Sequence, residues 1–123
     1  FWDFLPTCEE LTGGKRPAGV PTDGVSVLGL LTGGPAPERD CFYWELHEGK
    51  GPSLQAVRFG DWKAVRAGPA GAVELYDLAT DPGEKSNRAA DKPDLVKRAV
   101  GLMAREHADH PDWPLRDGPA RKE

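Results

Sequence analysis

The sequence has little of several features that mark particular classes of protein. It contains two cysteines, Cys8 and Cys41, too few for a dense disulfide framework and without the clustered ligands of a metal motif. No run approaches the roughly 18 to 20 apolar residues of a membrane helix, and no signal peptide is recognisable. Sixteen basic and twenty acidic residues give a net charge of -4, so no basic field exists to bind phosphate backbones. We therefore expect neither nucleic acid nor a membrane as a partner.

The start of the chain lacks something else, an initiator methionine. The first residues are Phe1-Trp2-Asp3-Phe4-Leu5, and these apolar side chains need a surface against which to be buried. We interpret this start as the cut end of a longer protein. An open apolar segment of this kind is expected either to fold back on the sheet or to pair with another copy in a homo-oligomer.

Glycine and proline, in contrast, are abundant, with fifteen and twelve residues. They fall between periodic segments and form no repeat, so we interpret them as the turn and loop residues of a loop-rich fold. The 123 residues are enough for one modest domain.

The N-terminal third predicts helical elements. Apolar residues at Phe4, Leu5, Cys8 and Leu11 follow a helical spacing over residues 3 to 12, with Asp3 as a candidate N-cap. Gly13 follows as a C-terminal stop. Residues 25 to 31 predict one or two further helical turns.

From residue 40 the apolar period becomes two, which indicates strands at residues 40–47, 55–59, 63–66 and 73–77. In the first strand Cys41, Tyr43 and Glu45 would point one way and Phe42, Trp44 and Leu46 the other, so we expect bulky groups to be covered on both faces. Gly60-Asp61 predicts a hairpin with glycine in the positive-φ position of a II′ turn.

The last predicted element is a helix that begins at Pro93. Leu95, Ala99 and Leu102 form its apolar stripe, while Asp94 and Arg105 suit the dipole at its two ends. The expected fold class is α+β, with about four antiparallel strands packed against this C-terminal helix. Residues 1–35, a short helical segment and linker, should lie outside a sheet-and-helix subdomain of residues 36–123.

The end of the first strand holds the candidate binding residues. His47 and Glu48 open a glycine-rich loop, and a histidine beside a carboxylate can do acid and base chemistry. Adjacent strand residues point to opposite faces, however, and ordinary strand-end polarity is the interpretation that this favours for the pair.

Three other groups of residues each have a functional and a structural interpretation. His107 and His110 suit a metal on one helical face, but Pro111 interrupts the helix and a solvated helix end looks the same. Cations beside the hairpin suit an anionic substrate or a solvated strand face. Aromatic residues suit sugar stacking or a core. The cations are Arg58, Lys63 and Arg66, and the aromatic residues are Tyr43, Trp44, Trp62 and Tyr76.

Five stretches, taken in order, resemble segments of the sulfatase family. Residues 3–13, DFLPTCEELTG, resemble the helix that closes the sulfatase catalytic domain, and residues 23–33, DGVSVLGLLTG, resemble the segment after it. Arg39-Asp40 with Tyr43-Trp44-Glu45 follows. Residues 56–65, AVRFGDWKAV, are similar to the family's hairpin, and residues 74–84, ELYDLATDPGE, to its strand and turn. Within the family, these stretches most resemble bacterial arylsulfatases or N-acetylgalactosamine-6-sulfatase-like proteins.

The resemblance implies that this chain is the C-terminal region of a sulfuric ester hydrolase, packed on the catalytic domain of the same chain. Such enzymes use a calcium ion and a formylglycine made from the first residue of a Cys-x-Pro-x-Arg motif or of its serine form, and neither cysteine here matches that motif. We therefore expect no catalytic residue, metal or cofactor in this piece, and no activity from it alone. A sulfated carbohydrate or aryl sulfate is the implied substrate of the parent, and a periplasmic or secreted location is expected for it.

Within this piece, the resemblance points to the loop of residues 47–53 as the contributor to the substrate pocket. His47, Glu48 and Lys50 are its candidate binding residues. Two alternatives remain open. One is an independent carbohydrate-binding or interaction module, and the other is a small metalloenzyme that uses His107 and His110.

Overall fold

A computed structural model describes residues 1–47 and 51–118 of the chain. Glu48 and Lys50, two of the three candidate binding residues, lie outside the described residues. The chain divides into two compact units, Phe1–Arg39 and Asp40–Glu123. That residues 1–35 are the end of a catalytic domain stays a prediction.

The first unit contains helix α1, Phe4–Thr12, and the single turn α2, Leu28–Leu31. Gly13 ends α1 in the left-handed conformation, with φ 69°, as predicted. The prediction that Asp3 caps α1 with its side chain is wrong. Its carboxylate instead pairs with Arg39 and accepts the backbone N–H of Val25 at 3.0 Å, so it is used for a longer-range contact.

The apolar residues at the start of the chain are exposed. Phe1, Phe4 and Leu5 have exposed fractions of 109%, 75% and 53%. These side chains are not buried within the chain, so pairing with another copy stays a prediction.

The second unit confirms the α+β class. Its four strands are antiparallel and lie in the order β1-β2-β3-β4, and helix α3 follows them along the chain. Gly60 has φ 59° at the first of two loop positions between β2 and β3, which confirms the predicted hairpin. The elements are β1 Phe42–Leu46, β2 Leu54–Phe59, β3 Trp62–Ala67, β4 Glu74–Asp77 and α3 Pro93–Glu106.

Helix α3 buries its predicted apolar stripe on one face of the sheet. Leu102 and Met103 pack against Val57, Phe59 and Leu75, and all five side chains are at most 6% exposed. This cluster, completed by Ala64 and Ala99, is the core of the unit. Within residues 1–47 and 51–118, no helix is both long and apolar enough to cross a membrane.

The prediction that the first strand is covered on both faces is wrong. Residues that alternate with the core point to the opposite face, where Trp44 and Leu46 remain 41% and 46% exposed. The physical reason is that the single helix α3 buries one side of the sheet. We call the other side the open face. Its residues, read from the strand register, are Phe42, Trp44, Leu46, Leu54, Ala56, Arg58, Lys63, Val65, Ala67, Glu74 and Tyr76.

Candidate functional site

A cluster of polar side chains occupies the helix-covered face at the end of the sheet where β1 leads into residues 47–53. Because side chains alternate along a strand, Tyr43, Glu45 and His47 share this face. The end of α3 brings His107 to them. We call this group the polar cluster, and it consists of Tyr43, Glu45, His47, Ser53, Gln55, Arg66 and His107.

Glu45 lies at the centre of the polar cluster. Its carboxylate accepts hydrogen bonds from the Tyr43 hydroxyl, from Nδ1 of His107 at 2.5 Å and from Nε2 of His47 at 3.2 Å. Burial raises the pKa of Glu45, but these three donors outweigh it and hold that pKa below its ordinary value. The carboxylate is therefore held ionised where three separate segments meet.

A second line of hydrogen bonds runs from Glu45 into the sheet. Nε2 of Gln55 donates to the Tyr43 oxygen at 2.5 Å, and Oε1 of Gln55 accepts from Nε of Arg66 at 2.8 Å. Gln55 is 1% exposed, so both ends of its amide are satisfied inside the protein. Burial and then the bond to Glu45 raise the pKa of Tyr43, which keeps its phenol protonated.

His47 and Ser53 join the two ends of the segment between β1 and β2. Nδ1 of His47 lies 3.0 Å from Oγ of Ser53. Ser53 also makes two hydrogen bonds with Arg116 of the C-terminal segment. Its backbone N–H donates to the Arg116 carbonyl at 2.8 Å, and its hydroxyl accepts the Arg116 N–H at 3.0 Å. The loop therefore begins and ends at fixed points.

Ser53, His47 and Glu45 stand in the order of a hydrolase triad, but the geometry does not support nucleophilic catalysis. A nucleophile must reach a substrate. Ser53 is 0% exposed, and its oxygen already accepts a backbone N–H. The hydrogen bonds among these three residues therefore hold His47 and Ser53 in place.

The two C-terminal histidines are in different environments, which counts against a shared metal site. Burial lowers the pKa of His107, but its hydrogen bonds to Glu45 and to Asp109, the latter at 3.0 Å, more than compensate and raise it. Both of its ring nitrogens are thus occupied by carboxylates. His110 is exposed, and its Nδ1 lies 3.9 Å from Oδ2 of Asp112. Among the described residues, no three metal-binding side chains are grouped to hold an ion.

The carboxylate that His47 contacts is Glu45, two residues earlier, whereas the sequence drew attention to the adjacent Glu48. The period-two pattern already placed Glu45 on the face of His47, so that signal was present. Gln55, Ser53 and Arg66 were not predicted to join them. Their pairing with β1 depends on the strand register, which hydrophobic alternation alone does not give.

The predicted cations and aromatic residues do not form one site. Arg58 and Lys63 are paired across strands on the open face, while Arg66 belongs to the polar cluster on the other side of the sheet. Among the aromatic side chains, Trp62 packs against the core and Trp44 is 41% exposed. Tyr76 is half-buried and donates to Glu74 at 2.7 Å.

Comparison with known proteins tests the resemblance to the sulfatase family. No protein-family model matches the chain. Arylsulfatase K of Mus musculus is 30% identical over 104 residues, which are 76% of this chain and 18% of that protein. The resemblance to the sulfatases is confirmed.

Two solved structures are similar to this chain, and one of them is a sulfatase. A 2-O GAG sulfatase, BT1596, is 26% identical with a TM-score of 0.72 and matches over 84% of this chain and 23% of its own. Ps i-CgsB, solved in complex with k-i-k-neocarrahexaose, is 25% identical with a TM-score of 0.74, over 93% of this chain and 26% of its own. The chain spans about a fifth to a quarter of the length of these three proteins.

Proposed function

We propose that this chain is the C-terminal subdomain of a sulfuric ester hydrolase and supports the catalytic domain of the same polypeptide. The observation that carries this proposal is the uneven coverage of the match. Three-quarters of this chain corresponds to less than a fifth of arylsulfatase K. A small sheet-and-helix unit of this kind adds a rigid layer to a larger enzyme and has no complete catalytic site of its own.

The parent enzyme's chemistry is proposed to lie outside this chain. A sulfatase of this family supplies a formylglycine nucleophile and a calcium ion. The residues present do not fit that machinery, because Cys8 and Cys41 lack the proline and arginine that the motif needs two and four positions later. The proposed substrate of the parent is a sulfated carbohydrate or aryl sulfate, and its proposed location is periplasmic or secreted.

We infer that the segment from His47 to Ser53 lines the substrate pocket of the parent. Support comes from the way its ends are held. Both ring nitrogens of His47 are engaged, by Ser53 and Glu45, so His47 is a positioning residue. Glu48 and Lys50, between these anchored ends, are the proposed contacts with substrate. Loops held by a rigid scaffold are the usual carriers of binding residues.

The first experiment tests the parent enzyme. The gene region upstream of Phe1 is expressed together with this chain and with a formylglycine-generating enzyme, and hydrolysis of 4-nitrophenyl sulfate is compared with that by the 123-residue chain alone. We expect turnover by the longer protein and none by the chain. Turnover by the chain alone, or a longer protein with neither the Cys-x-Pro-x-Arg motif nor its serine form, would contradict the proposal.

The second experiment tests the loop in that longer protein. Lys50→Ala should raise KM for a sulfated saccharide while leaving hydrolysis of the small aryl sulfate unchanged. Lys97→Ala, an exposed lysine on α3, is the matched control. Equal effects of the two variants on the saccharide, or no effect of either, would remove Lys50 from the pocket.

A further inference from the structure

The open face carries a groove that the proposed function does not use. It lies beside the β2–β3 hairpin, between strand β1 and the turn that follows β4. Its floor is the small side chain of Ala56, which pairs across strands with Trp44. Arg58 and Lys63 face each other across the next pair of strands. The lining residues are Trp44, Ala56, Arg58, Lys63, Leu78, Pro82 and Glu84.

One wall of the groove is a flat aromatic surface. Trp44 is 41% exposed, and its ring stacks on Phe42 with a centroid distance of 6.1 Å and an interplanar angle of 17°. This packing restricts the orientation of the indole while part of it stays accessible. A fixed apolar plane of this kind suits the face of a sugar ring, which presents C–H groups.

The groove also carries positive charge. Arg58 is exposed, and its one hydrogen bond among the described residues runs from Nε to the Gly60 carbonyl at 3.4 Å. That bond leaves the two terminal nitrogens for a ligand, and a planar guanidinium can bind two oxygens of a sulfate. Lys63 lies opposite and adds a second cation.

Glu84 provides the carboxylate of the groove and lies 2.6 Å from Nζ of Lys63. It has φ 53°, the one positive value among the described non-glycine residues, a conformation that is unfavourable for a side chain of this type. Asp81 holds the turn, because its carbonyl accepts the Glu84 N–H at 3.1 Å and its Oδ2 accepts two further N–H groups at 2.8 Å. Unfavourable backbone angles that are held by such contacts occur often at binding sites.

We propose that this groove binds a sulfated saccharide. The sugar ring stacks on Trp44, a sulfate group accepts hydrogen bonds from Arg58 and Lys63, and sugar hydroxyls donate to Glu84. Among the residues that line the groove, two cations stand against one carboxylate, which suits an anionic ligand. The choice of a sulfated saccharide over other anions rests on the proposed function, whereas the groove itself does not.

Binding to the 123-residue chain tests the proposal directly. The probes are sulfated maltohexaose and unsulfated maltohexaose, followed by calorimetry and by tryptophan fluorescence. We expect the sulfated probe to bind at least about tenfold more tightly than the unsulfated one, because charge-assisted hydrogen bonds contribute on that scale. Trp44→Ala and Arg58→Gln should each weaken binding by about tenfold.

Matched variants separate this site from general attraction to a polyanion. Phe4→Ala removes an exposed aromatic residue from the first unit, and Arg88→Gln removes an exposed arginine on the loop before α3. Both should bind the sulfated probe as the unaltered chain does. Equal weakening by Arg58→Gln and Arg88→Gln, or no binding at all, overturns the proposal. Circular dichroism checks that Trp44→Ala folds, and Arg58→Gln, a change in an exposed side chain, tests the site independently.

The longer protein separates this proposal from the proposed function. Hydrolysis of 4-nitrophenyl sulfate does not need the groove, so Arg58→Gln should retain it while losing the saccharide affinity. If the upstream region instead covers the open face, Trp44 fluorescence becomes insensitive to both probes in the longer protein. That outcome overturns the saccharide site and assigns the face to a contact between domains, leaving the sulfatase proposal intact.

Discussion

The helix-covered face of the sheet has two halves that differ in chemistry although the same strands build both. On β2, Val57 belongs to the apolar core and Gln55, two residues earlier, to the polar cluster. On β3, Ala64 belongs to the apolar core and Arg66, two residues later, to the polar cluster. One step of two residues therefore separates a surface that excludes water from one in which each side chain has specific partners.

The difference shows how the two halves divide their roles. Apolar burial is non-directional, so the core stabilises the fold without fixing individual groups. The polar cluster is directional, since Glu45 accepts three donors and Gln55 uses both ends of its amide. The directional half lies where the chain leaves β1 for the loop. The fold is thus stabilised by apolar burial at the hairpin end, while directional hydrogen bonds hold His47 and Ser53 at the other end.

The largest expected effect is on the apolar half. Leu75→Ala removes a fully buried side chain and should lower the free energy of unfolding by about 2 to 5 kcal/mol, because it leaves a cavity. Urea denaturation measures this. Leu46→Ala is the matched control on the open face, where the side chain is 46% exposed and little is lost. A comparable loss from both variants would mean that the open face is buried in solution.

A substitution in the polar half should lower the free energy of unfolding by less, and it should do so by removing a charge. Glu45→Gln places an NH₂ group where Tyr43 or His47 donates, and should cost roughly 2 kcal/mol in the free energy of unfolding. The control is Glu74→Gln, which alters an exposed pair with Tyr76. If the two substitutions lower the free energy of unfolding equally, the polar cluster is no more stabilising than a solvated pair.

Much of the fold was predictable, for reasons that these two halves illustrate. The periods of two and of about 3.6 in apolar residues predicted the four strands and α3, and Gly60 predicted the hairpin because its positive φ is unfavourable for other residues. The covering of both sheet faces was predicted wrongly. Bulky residues such as Trp44 do not by themselves reveal whether a second layer packs on them.

The candidate site was predictable only in part. His47 was singled out, but the sequence neighbour Glu48 drew attention away from Glu45. The residues from other segments could not be found, since Gln55 and Arg66 reach Glu45 through the strand register and His107 through the docking of α3. Local patterns determine which face a residue occupies and do not determine which residue of another element lies opposite.

A third prediction concerns the junction of the loop with the C-terminal segment. Ser53→Ala leaves the Arg116 N–H and Nδ1 of His47 without the hydroxyl, and should cost about 1 to 2 kcal/mol in the free energy of unfolding. Hydrogen exchange should increase at Arg116 and Ala70, which the C-terminal segment contacts. Ser86→Ala, at an exposed position, should change neither quantity. Unchanged exchange at Arg116 in Ser53→Ala would show that the polar cluster does not hold this segment.

The smallest expected effect is a pH dependence between mildly acidic and neutral solution, to which the polar cluster contributes through His107 and Glu45. The pKa of His107 is raised in the folded chain, so its contribution to stability is complete below about pH 6.5, the ordinary pKa of histidine, and is lost as the pH rises through the folded value. The pKa of Glu45 is lowered, so its contribution is present above its ordinary value and is lost as the pH falls through the folded one. Stability should therefore be greatest in mildly acidic solution.

Substitution of each C-terminal histidine tests the origin of that pH dependence. His107→Gln should remove the alkaline decline in the free energy of unfolding, measured by urea titrations at successive pH values. His110→Gln should retain it, because His110 is exposed and its ion pair among the described residues is with Asp112. The apolar half contains no titrating group, so Leu75→Ala should lower the whole curve without changing its shape. An alkaline decline that survives in His107→Gln would place its origin outside the polar cluster, and the two halves would then not differ in their response to pH.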